Sequence, residues 1–133
     1  MPGLGSARGW PERVLVALGA IAGCLGVALS AAASHVTGGG GTLDVSARFL
    51  LAHAPALIGL AAAIATYLVH RPTALAAGSL LAIGLALFSG DLASRAFQGA
   101  ALFPMAAPAG GILLIAGWAL VAAAAVIVGR KPA

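Results

Sequence analysis

The chain has 133 residues, 62% of them hydrophobic and 8% charged, and its 19 glycines bring the apolar share to roughly three-quarters. Soluble domains are about 45–50% apolar, and surface-to-volume scaling stops a domain of this size from hiding so much more. The net charge of +4 is scattered, with no basic stripe of the kind nucleic acid requires, so a soluble domain, a disordered chain and a nucleic-acid binder are all excluded.

Arg8 and Arg13 precede the first apolar run, residues 14–33, and Trp10 falls where an aromatic anchor meets the headgroups. The run closes on Ser30-Ala31-Ala32-Ala33-Ser34, similar to a signal-peptide cleavage site. It exceeds the usual apolar core of about 7–15 residues, so a retained helix is expected. Gly19 and Gly23 form a GxxxG, continued by Gly26. Small residues let helices approach closely in lipid. The stripe is expected to pack within one bundle, with a homodimer face as the alternative. Cys24, the single cysteine, forms no intrachain disulfide and belongs to no metal-ligand spacing.

Glycines 38–41 connect to the second run, residues 49–69, in which Pro55 frees a backbone carbonyl. His53 lies four residues into that run, about 6 Å from its start. His70 and Arg71-Pro72 close it, with His70 read as an interface anchor. The third run is free of charge over residues 73–90, and its span reaches about residue 92. Gln98-Gly99 and Pro104 break the chain before the fourth run, residues 109–128. That run holds Gly110, Gly111 and Gly117 for close packing, and Trp118, whose mid-span place calls for a helix–helix role.

Each run has the length of about 20 residues that a helix needs to cross the hydrocarbon core. Barrel strands are excluded because their residues alternate, whereas these runs are continuously apolar. The expected fold is therefore all-α, an integral membrane bundle of four transmembrane helices. One transmembrane domain fills residues 1–133, with spans near 14–33, 49–69, 73–92 and 109–128. A cytoplasmic N-terminus puts Arg8, Arg13, Arg71, Arg130 and Lys131 inside and Arg48 and Arg95 outside. That asymmetry predicts both termini cytoplasmic.

This topology collects His35, His53, Ser89, Asp91 and Arg95 at the outer end, as a candidate polar cluster. Ionisable groups in spans are costly and are functional suspects. Asp91 and Arg95, four apart, are expected to form an ion pair on one helix face. The functional alternative makes Asp91 a proton or cation site tuned by Arg95. His53 is read as interhelical hydrogen-bonding glue or, alternatively, as a proton-responsive group. His35 is read as an interfacial polar residue. Against this stands haem ligation by two histidines on different helices, but nothing else in the sequence supports a cofactor, and no metal site is expected.

Leu87-Phe88-Ser89-Gly90-Asp91-Leu92, then Ala107-Pro108-Ala109-Gly110-Gly111 and Ala116-Gly117-Trp118, resemble the small membrane family catalogued as domain of unknown function 423. Its members carry an LFSG segment closing the third span and a P-x-GG…GW segment in the fourth. They also carry a histidine ending the first span and another early in the second, matched here by His35 and His53. Residues 30–35 lack both glycines of the family's GAFGAH-like segment, and Phe49 stands where members often have tyrosine. The resemblance implies a four-span bacterial inner-membrane protein and implies no mechanism.

With no nucleophile–base pair, HExxH, P-loop or CxxC, an enzyme is not expected. The expected role is an accessory, assembly or structural membrane component acting through helix packing. Its partners would be the lipid bilayer and either a larger membrane complex or a second copy of itself. The alternative is a small channel or carrier for protons or a small solute, with an outer-side polar pocket.

Overall fold

The computed structural model describes residues 9–36 and 41–128 and consists of four long helices. They are α1 (Trp10–Val36), α2 (Thr42–Ala65), α3 (Arg71–Gln98) and α4 (Ala106–Val128), and each is long and apolar enough to cross a membrane. Arg8, Arg130, Lys131 and glycines 38–40, which entered the topology and connector arguments, lie outside the described residues.

The second helix is displaced from its apolar run. It begins at Thr42, so the polar start with Asp44 and Arg48 is helical, held by an i,i+4 ion pair of 2.9 Å. It ends at Ala65 rather than running to residue 69. Tyr67 adopts φ 59°, and the Leu68 amide donates to Ala63 O at 3.0 Å, closing a left-handed C-terminal turn. Hydropathy alone does not see this stop, because Tyr67, Leu68 and Val69 are as apolar as the helix. Arg71-Pro72, expected as a breaker, instead starts α3, where proline's missing N–H costs nothing. Gly99, in the left-handed region at φ 70°, ends α3 with its amide on Arg95 O.

Packing proceeds in chain order: α1 on α2, α2 on α3, α3 on α4, with a slight α1–α3 contact. The α2 and α4 backbones stay apart, as do α1 and α4, so the bundle is grooved rather than closed. Small residues set the close contacts. A Cβ on Gly19 would fall 2.7 Å from Ala54 O, and one on Gly26 2.8 Å from Leu51 Cγ, so these two glycines serve the α1–α2 seam. Gly23 makes only ordinary contact there. At the α3–α4 seam the backbones of Gly84 and Gly110 meet directly, and Gly117 admits Leu81. Gly111 departs from the expected packing role, because a Cβ there would meet nothing within 4 Å.

Polar groups tie both ends of the bundle. At one end Arg71 Nε donates to Glu12 Oε1 at 2.9 Å, joining the starts of α1 and α3. At that same end the His70 amide donates to Ala124 O of α4 at 2.9 Å. At the other end the Ser46 hydroxyl of α2 donates to Ser89 O of α3 at 2.8 Å, and the Ser89 hydroxyl returns a longer bond of 3.4 Å to Ser46 O. The start of α1 and the end of α4 therefore share one end of the bundle.

Candidate functional site

The five residues of the expected polar cluster are not gathered into one site. His35 is exposed at the end of α1. Ser89 is buried, but its partner is Ser46. Asp91 and Arg95 pair with each other, and His53 pairs with neither. Among the described residues no three of His, Cys, Asp and Glu come close enough to hold a metal ion.

Asp91 is fully buried near the end of α3. Its Oδ2 accepts from Arg95 Nε at 2.8 Å, as the i,i+4 spacing predicts. Its Oδ1 accepts from the backbone amide of Leu102 at 2.8 Å. The second bond reaches eleven residues onward and clamps the α3–α4 connection to α3. Beside it the Ser94 hydroxyl donates to Ala100 O at 2.8 Å. This carboxylate thus serves as a loop anchor, a role invisible in sequence because nothing in residues 99–105 marks Leu102 as its donor.

His53 lies at the middle of its helix. Because α2 begins at Thr42, the residue is about 16 Å from the start. Its partner Trp118 is likewise near the middle of α4. Indole Nε1–H can only donate, so His53 Nε2 accepts this 3.2 Å bond. The proton of the neutral ring therefore sits on Nδ1, which donates to Phe49 O at 2.8 Å. Both ring nitrogens are satisfied in one tautomer. Trp118 thus gains the interhelical role that its mid-span position demanded.

Aromatic rings extend this bridge. Phe49 lies nearly parallel to the His53 ring at 5.9 Å, and Phe88 meets Phe49 at 4.4 Å. The 49/53 contact was legible as an i,i+4 pair on a helix. Phe88 and Trp118 approach from α3 and α4, and no spacing rule connects them to His53. Together with Gly111 and Ile115 these side chains line an open cleft of about 400 Å³ between α2 and α4. The Gly110–Gly111 pair thus divides its work: the first glycine packs on α3 and the second leaves the cleft open.

The bridge makes a measurable prediction. A double-mutant cycle of His53→Phe and Trp118→Phe, read by thermal unfolding in mild detergent, should give a coupling of about 0.5–1 kcal/mol, typical of interhelical hydrogen bonds in membranes. Strict additivity would mean that the two rings only share a surface.

The protein-family comparison matches residues 29–111 to the family described as "Protein of unknown function (DUF423)". That stretch contains His35, His53, the LFSG segment and the Gly110–Gly111 pair, and it stops before Trp118. Curated relatives are the UPF0382 inner membrane protein YgdD of Escherichia coli K12 and of Shigella flexneri. Each is 32% identical over 129 residues, covering 90% of this chain and 95% of the relative. No solved structure matches the chain. With four membrane-length helices and relatives named for the inner membrane, the chain belongs to the DUF423 family and is a multi-pass inner-membrane protein.

Proposed function

We propose that this protein is a non-catalytic accessory, assembly or structural component of the inner membrane, acting through helix packing, with both termini cytoplasmic. The observation that carries the reading is the state of its two most suspect ionisable groups. Both oxygens of Asp91 and both ring nitrogens of His53 are engaged by partners in the same chain. A proton carrier or a catalytic base needs a lone pair to offer, and a relay needs connected groups. His53 and Asp91 share no hydrogen bond. The surface left for action is apolar: Ile112, Ile115 and Val126 of α4 are each about two-thirds exposed or more. The cytoplasmic placement follows the five-to-two excess of Lys and Arg on the side of the termini.

Native mass spectrometry of the protein released with its surrounding lipid tests this role. The expected result is a fixed-stoichiometry assembly, either with a larger membrane protein or with further copies of the chain. A chain released alone counts against it. The proposal is overturned if that lone chain moves protons or a small solute across reconstituted vesicles, with the flux lost in His53→Gln or Asp91→Asn.

A further inference from the structure

We propose that the pocket at the end of the bundle where α1 starts holds the headgroup of an aminophospholipid, with its primary ammonium on Glu12. The inference goes beyond the accessory role and does not rest on it. Three observations converge on it.

The first is an oxygen atom without a donor. Only 12% of the Glu12 side chain is exposed. Its Oε1 accepts from Arg71 Nε at 2.9 Å. Its Oε2 is buried and accepts from nothing, the one such side-chain polar atom among the described residues. Asp91, at the opposite end, has a donor for each oxygen. A charged oxygen buried without a donor is costly, so a ligand that brings one is rewarded there.

The second is place. Glu12 lines an open pocket of about 230 Å³ together with Ile64, Ala65, Tyr67 and Arg71. Trp10 and Tyr67, both largely exposed, stand at this same end, as aromatic residues do at the headgroup level. The volume falls below the range of about 300–1,000 Å³ usual for whole small molecules, and suits a headgroup whose acyl chains stay in the bilayer. The terminal torsion of a glutamate is soft, so a turn of the carboxylate brings Oε2 to the pocket while Oε1 keeps Arg71.

The third is charge. Glu12 and Arg71 together are neutral, so the site as a whole favours neither a net anion nor a net cation. A zwitterion matches it, with its ammonium against the carboxylate and its phosphate toward the guanidinium, whose side chain is 39% exposed. A primary ammonium carries three N–H donors, as lysine does. A choline headgroup has the same charge and phosphate but no N–H, and leaves Oε2 unpaired.

The test adds dioleoyl lipids at equal concentrations to the full chain in detergent, and counts the lipids retained by native mass spectrometry. The probes are phosphatidylethanolamine, its N-methyl derivative, phosphatidylcholine and phosphatidylglycerol. The expected result is one phosphatidylethanolamine per chain, matched within about twofold by the N-methyl derivative, with phosphatidylcholine about tenfold weaker, in line with one lost charge-assisted hydrogen bond. Ala65→Leu, at an exposed position on the pocket wall, should abolish the retained lipid and leave the melting temperature unchanged. Glu12→Gln should remove the preference over phosphatidylcholine. Equal retention of phosphatidylethanolamine and phosphatidylcholine would overturn the proposal. So would tightest retention of phosphatidylglycerol, which would make the site a phosphate site read by Arg71 alone. A preference unchanged in both variants would place the lipid elsewhere, and displacement by soluble phosphoethanolamine would overturn the lipid as the source of the ammonium. If Glu12→Gln fails to fold, the contrast between the two zwitterionic lipids on the unaltered chain still decides.

Discussion

Gly110→Ala is expected to lower the melting temperature of the detergent-solubilised protein by roughly 5–15 °C, and Gly111→Ala to leave it unchanged or slightly raised. The two glycines are adjacent in sequence and identical in chemistry. A Cβ on Gly110 would sit 2.6 Å from Phe88 N and 2.7 Å from Gly84 O. Both are backbone atoms of a packed helix and cannot swing aside, so α3 and α4 must separate. Separation also loosens Leu81 in the notch at Gly117 and the contacts of Leu114 near Gly84. Overpacking of this kind costs about 1–3 kcal/mol or more. At Gly111 the new methyl enters open space, and alanine's better helix propensity, about 1 kcal/mol in soluble hosts, works in the opposite direction. Circular dichroism melts of the two variants, run side by side, decide the matter. Equal losses would mean that the α3–α4 seam is rotated from the position described.

Asp91→Ala is the second large effect. It should release the α3–α4 connection, and the Leu102 amide should lose about tenfold or more of its hydrogen-exchange protection. The change removes the acceptor for Leu102 N–H and the partner of Arg95 together. Arg95→Ala should do much less, because its side chain is about half exposed and finds other solvation, while Asp91 keeps its bond to Leu102. Asp91→Asn should fall between, since an amide oxygen still accepts from Leu102 but carries no charge. The order Ala, then Asn, then the Arg95 variant separates a loop anchor from a simple ion pair. If Arg95→Ala matched Asp91→Ala, the ion pair would be the dominant interaction.

The Asp91–Arg95 pair was legible because i,i+4 spacing on a helix needs no tertiary information. The bond from Asp91 to Leu102 was not, since it depends on how the connection folds back. His53 lies four residues into the apolar run that begins at Phe49, yet at the middle of a helix that begins at Thr42. Hydropathy measures where lipid is tolerated, and helices extend beyond that on polar residues such as Asp44 and Arg48.

The sequence by itself determined that the chain spans a membrane four times as helices. Runs of about 20 apolar residues separated by charges and breakers leave backbone polar groups no other way to be satisfied in lipid. Only the tertiary structure decided which faces of those helices meet. In water an amphipathic stripe announces the buried face, but in a bilayer the inside and the outside of the bundle are equally apolar. Rotation about each helix axis is therefore unwritten in the hydropathy pattern. That rotation sends Gly110 into a seam and Gly111 to a cleft, and brings His53 to Trp118 rather than to Asp91.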